Sequence, residues 1–107
     1  MWNRNIETFL GCDGTYEDSH IVIFGAPFDS TTSYRPGTRF AARTMRAESY
    51  GLETYSPYQD LDLEDAHAFD GGDLELPFGD TKRALDMIHT FTKNILPDGR
   101  LPFLIGG

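Results

Sequence analysis

The chain has 107 residues, 39% of them hydrophobic and 24% charged, which is the size of one domain and too short for two. Its 17 acidic residues outnumber 9 lysines and arginines, and the net charge of −8 argues against nucleic-acid or anionic-membrane binding, both of which need a basic surface. A single cysteine, Cys12, excludes an intrachain disulfide framework and a cysteine-based zinc site, no apolar run approaches the ~18–20 residues of a membrane span, and no secretory leader is visible. The default expectation is a cytoplasmic protein.

Residues 1–19 read as a polar amino-terminal arm, with Trp2, Ile6, Phe9 and Leu10 as a small amphipathic cluster. Such an arm either contacts another subunit or lids its own core, and the two readings weigh equally. Next, His20–Gly25 is a short β-branched apolar run, the pattern of a strand buried on both faces of a parallel sheet. Residues 26–39 form a loop set by Pro27, Pro36 and Gly37, longer than the usual connection of ~2–6 residues and therefore of functional interest.

Phe40 to about Tyr50 reads as a helix. Arg39, Arg43, Arg46 and Tyr50 share one face, expected to be solvated or salt-bridged, and the acidic stretch after it offers partners. Phe40, Ala41, Thr44, Met45 and Ala47 are the expected core side. Residues 51–66 read as an acidic surface segment with one short helical turn, and Ala66–Asp70 as a weak second strand before a Gly71-Gly72-Asp73 turn. Thr81–Leu96 is the clearest helix, with Asp80 or Thr81 as its N-cap and Leu85, Ile88, Phe91, Thr92, Ile95 and Leu96 as its apolar stripe. Leu101–Ile105 is a third strand, ending in a double glycine. An apolar strand in that position is expected of a truncated chain.

The order strand, helix, strand, helix, strand implies a parallel sheet with covering helices and right-handed crossovers. Ligands then gather beyond the carboxyl ends of the strands, which marks Asp29, Ser33, Tyr34, Arg35, Asp70 and Asp73 as candidates. No glycine fingerprint for a nucleotide follows the first strand. Asp65, His67 and Asp70 group two carboxylates around an imidazole, a set that suits manganese or magnesium, but such groups are common by chance in an acidic stretch. Cys12, Ser30 and Ser33 lack any nucleophile motif. His89, mid-helix at the edge of the apolar stripe, is expected to be structural.

Three stretches carry a resemblance. Ile23–Asp29, Thr32–Phe40 and Met45–Ser49 resemble the amino-terminal part of the ureohydrolase (arginase) family, and within it the agmatinase branch. The segments Gly51–Tyr58 and Asp70–Gly79 fit bacterial members of that branch. One departure is Ala42, where the family often starts the helix with proline. The resemblance implies a three-layer α/β/α, arginase-like fold around a parallel sheet, of which residues 20–107 are the β-α-β-α-β portion.

It also implies hydrolysis of a guanidino substrate, agmatine, to putrescine and urea, by a hydroxide held between two Mn2+ ions. Guanidinobutyrase or arginase activity, or a non-catalytic short relative acting as an interaction subunit, are the alternatives. A homo-oligomer is implied, with no nucleic acid or membrane as partner. The family's metal ligands come from a G-G-[DE]-H turn, a D-A-H-x-D strand end and a later S-x-D-x-D-x-x-D-P segment. Gly106 and Gly107 match only the first two residues of the first of these. Asp65-Ala66-His67 does not match the second, because the next aspartate, Asp70, falls one residue too late and before the double glycine. No metal ligand or catalytic residue is therefore assigned to this chain, which by itself is expected to be inactive. Asp29, Ser33 and Arg35 remain as pocket-lining or loop-ordering candidates, with Arg35 preferred as a loop anchor because a cation would repel a cationic substrate.

Overall fold

The computed structural model describes residues 7–29, 36–77 and 79–106. Strand β1 (Ile21–Gly25) runs through the middle of a three-stranded parallel sheet. A single 3-10 turn, Thr38–Phe40, leads into helix α1 (Ala41–Ser49). A two-residue hairpin follows, β2 (Tyr55–Ser56) against β3 (Leu61–Asp62), then a second 3-10 turn, Leu63–Ala66. Strand β4 (Ala68–Asp73), helix α2 (Thr81–Ile95) and strand β5 (Leu101–Ile105) complete the order. The sheet reads β4-β1-β5, so the chain leaves β1 to one side and returns on the other. Right-handed crossovers in opposite directions place the two helices on opposite faces.

Side-chain alternation agrees. Val22 and Phe24 point to one face and build the core with Phe69, Leu74 and Ile95, flanked by Tyr16, Leu76, Ile88 and Phe91. Helix α2 covers this face through Ile88, Phe91 and Ile95. Gly25 and Asp70 belong to the other face, where Ala42 and Arg46 of α1 meet them. The expected parallel, three-layer arrangement is therefore present in its amino-terminal portion.

Several expectations change. Helix α1 is turned by about half a revolution from the one expected: its buried residues are Ala42, Arg46 and Ser49, while Phe40 and Met45 are exposed. An apolar count assigned the core side, but the sheet opposite presents aspartates, and those select an arginine. On α2 the stripe centres on Ala84, Ile88, Phe91 and Ile95, leaving Leu85 and Leu96 exposed. Asp80 is the cap, its side chain accepting the Arg83 N–H. His89 is solvent-exposed rather than structural. The 51–66 segment holds the short hairpin as well as a helical turn.

The largest correction concerns Gly71-Gly72-Asp73, which continues β4 instead of turning away from it. The register passes from Ile23 opposite Asp70 to Gly25 opposite Asp73, so β4 holds one extra residue. Gly72 takes φ +83, a left-handed conformation open to glycine. In a regular strand, residues 70 and 73 would face opposite sides of the sheet. The bulge removes that alternation and aims both carboxylates at α1.

Of the amphipathic cluster in the arm, Trp2 and Ile6 lie outside the described residues. Phe9 and Leu10 are half-buried against the chain's own fold, and Cys12 is buried. The Cys12 carbonyl accepts the Asp70 N–H at 3.0 Å, and Asp13 bridges Phe69 antiparallel. The arm thus covers the outer edge of β4. Burial first, then the Asp70 and Asp13 charges, raise the Cys12 thiol to about 11. At pH ~8 thiol-reagent labelling of the folded chain should be at least ~100-fold slower than that of the urea-unfolded chain. Equal rates in a stopped-flow labelling assay would show that the arm does not shield it.

Candidate functional site

The strand order changes direction between β1 and β5, and in open α/β sheets the crevice at the carboxyl ends of such strands is where ligands bind. Three segments converge there: the loop leaving Gly25, the end of β4 at Asp73, and Gly106 after β5. Gly25 is paired with Asp73 on one side and Ile105 on the other.

Beneath this rim lies a buried ion network. Arg46 Nε and Nη2 donate to the two oxygens of Asp70 at 2.7 and 3.0 Å, a bidentate pair with both side chains 1% exposed. Arg46 Nη1 donates to Asp73 Oδ1 at 2.6 Å. Asp70 also accepts the Phe9 N–H at 2.9 Å and the Gly72 N–H at 2.9 Å, which fills its acceptor sites. Burial pulls the Arg46 guanidinium down, but the bonds from Asp70 and Asp73 outweigh it and hold the group above its ordinary value. The guanidinium lies 5.3 Å from the centre of the Phe9 ring. Ser49 Oγ donates to the Arg46 carbonyl and accepts the Leu10 N–H, so helix, arm and strand end are fastened to one another.

The loop after β1 has its own clasp. Asp29, 8% exposed, accepts the Gly37 N–H on Oδ2 at 2.6 Å, and Arg39 Nη1 on both oxygens at 2.8 and 3.1 Å. Asp29 therefore spends its carboxylate on ordering the loop's two ends. The other two loop candidates, Ser33 and Arg35, lie outside the described residues, as does Tyr34. The clasp partner is Arg39, the first residue of the arginine stripe. The Gly37 N–H is the largest influence on the Asp29 carboxyl; burial opposes it, and the Arg39 bonds and charge add to it, so the group lies below its ordinary value. Its stabilising contribution is thus fully present above the unfolded value of ~3.9 and is lost as pH falls through the lowered folded value. Asp29→Asn should flatten the fall in stability between about pH 5 and 2, read by urea titration at each pH. Identical slopes for the two proteins would remove the clasp's role.

Asp70 and Asp73, at the strand end, are both held by Arg46, so a cation already occupies their charge. Asp65 and His67 are exposed, and Asp70 of the same segment is committed to the network. Among the described residues, no three histidine, cysteine or acidic side chains come together in a group that could hold a metal. These residues do not fit a pair of manganese ions. No helix among them is long and apolar enough to cross a membrane.

The fold and its rim define a layered α/β protein of the parallel, switch-point kind, seen in its amino-terminal portion. The arginase family model matches residues 19–107, and the chain belongs to the arginase family. It is 46% identical to the agmatinase of Bacillus anthracis over 101 residues, 94% of this chain and 35% of that protein. It is 54% identical to an agmatinase-like protein of Clostridium difficile, with a TM-score of 0.82 over 87% of this chain and 34% of the other. The agmatine ureohydrolase of Thermoplasma volcanium superimposes over 97% of this chain and 35% of its own with a TM-score of 0.90, at 30% identity. The chain therefore spans about a third of the length of the relatives it matches.

Proposed function

We propose that the chain is the amino-terminal part (residues 1–19 as an arm, 20–107 as the start of the α/β domain) of a manganese-dependent, cytoplasmic, homo-oligomeric ureohydrolase that cleaves agmatine to putrescine and urea. The observation that carries this reading is the 46% identity to an agmatinase across 94% of the chain. The acidic balance of −8 agrees in sign with a cationic guanidinium substrate. The metal ions and their chemistry belong to segments beyond these residues, since the aspartates here are held by Arg46. The chain supplies the floor and one loop of the crevice, and by itself releases no urea.

The test is an in-frame fusion of this chain to the remaining two thirds of the Bacillus anthracis agmatinase. With manganese, the fusion should release urea from agmatine faster than from arginine or guanidinobutyrate, and the chain alone should release none. A preference for arginine or guanidinobutyrate would replace the substrate. A well-folded fusion with no activity on any of the three would remove the enzymatic reading.

A further inference from the structure

The crevice lies at the carboxyl ends of the strands, and the amino ends carry a constellation of their own. His20 precedes β1 and His67 precedes β4, and the register of Ile21 opposite Ala68 sets the two side by side. The His20 N–H donates to the His67 carbonyl at 2.8 Å, which fixes one backbone to the other. His67 takes φ 53 and ψ 52, a left-handed residue that ends the turn Leu63–Ala66. The two imidazoles meet with ring centres 5.3 Å apart and planes tilted by 58°. Both residues are exposed.

Beside the pair, a cavity of about 300 Å³ opens between the arm and the start of β4. Asp13, Asp18, Ser19, Glu64 and His67 line it, and no lysine or arginine does. Arg100, just before β5, has its guanidinium bound to the Tyr16 and Glu17 carbonyls. Three carboxylates on one side of the imidazoles make a local field that draws in a cation.

A zinc ion holds each imidazole nitrogen at ~2.0–2.1 Å with tetrahedral angles. Each ring centre lies ~1.1 Å behind its nitrogen, so two imidazoles on one ion have centres ~5 Å apart. The observed separation of 5.3 Å matches that span. Exposed rings turn freely, so both can aim a nitrogen at one point.

We propose that His20 and His67 form a two-nitrogen site for a borderline divalent transition ion, with Zn2+ as the probe and water completing its coordination. Imidazole suits zinc, copper and nickel, whereas manganese and magnesium prefer oxygen ligands. The carboxylates of the cavity act through their field and not as ligands, because among the described residues no three such side chains form a group that could hold a metal. The bound ion joins the amino ends of β1 and β4. The site is independent of the hydrolase reading above.

The metal-free chain is titrated with Zn2+ by calorimetry, and one ion per chain is expected. His20→Gln and His67→Asn should each weaken binding at least ~10-fold, while His89→Gln, at an exposed histidine on α2, should leave it unchanged. Asparagine tolerates the left-handed backbone at 67, and circular dichroism checks the fold of each variant. Zinc should also raise the urea midpoint of the wild-type chain and not that of His67→Asn. In the wild-type chain itself, the imidazole proton resonances of His20 and His67 should shift together with zinc, and those of His89 should stay in place. No zinc binding, binding that survives either substitution, a loss just as large with His89→Gln, a shift at only one imidazole of the pair, or tighter binding of Mn2+ than of Zn2+ overturns the site.

Discussion

Arg46→Met is expected to destabilise the chain by about 3–5 kcal/mol, because it leaves the Asp70 carboxylate buried without its cation. Asp70 is 1% exposed and cannot turn to water. A small domain has only ~5–15 kcal/mol in total, so this loss is a large fraction of it. Methionine matches the length of the arginine stem, which separates loss of charge from loss of packing. Arg46→Lys should fall between, since an ammonium cannot make the bidentate pair and reach Asp73 together. Guanidinium titration followed by circular dichroism measures both. A loss under ~1 kcal/mol for Arg46→Met would mean that water reaches Asp70 and that the network contributes little.

The second large effect is at Gly25, where the end of β1 touches both neighbours. A Cβ built there would meet the Asp73 carboxylate, inside any permitted contact, and the Ala42 Cβ at 2.9 Å. Gly25→Ala must displace Asp73, the helix start, or both. Overpacking of this kind costs about 1–3 kcal/mol, and here it also strips Asp73 from Arg46. The two effects should place the variant at the upper end of that range. A double-mutant cycle tests the cause: Asp73→Ala should return part of the loss, with a coupling of ~1 kcal/mol or more. Strict additivity would place the strain at Ala42 instead. The small side chain of Ala42 lies directly against this strand end.

The same two sites show how far the residues alone lead. The apolar runs at His20–Gly25 and Leu101–Ile105, the periodicity of Thr81–Leu96 and the turn at Pro97–Gly99 were enough for a parallel α/β order with two covering helices. Hydrophobic period and turn chemistry are local, and the elements followed them. The loop motif Thr32–Phe40 carried the family, and the family model confirms it over residues 19–107. Asp29 was legible as a loop residue, but Arg39 as its partner was not, because nothing in the spacing says which arginine closes the loop.

What tertiary structure alone decided is the polar interior. Arg46 stands in a stripe expected to be solvated or salt-bridged; it is salt-bridged, and its burial depends on two aspartates lying 24 and 27 positions later. The paired glycines 71 and 72 read locally as a turn, and in the fold they make the bulge that brings Asp70 and Asp73 to one face. The sign of a buried site is set by what packs opposite, and that depends on register between segments distant in sequence. Composition and period determine which segments become strands and helices; the one-residue shift in β4 determines that a cation, and not a hydrophobic side chain, fills the space under the strand ends.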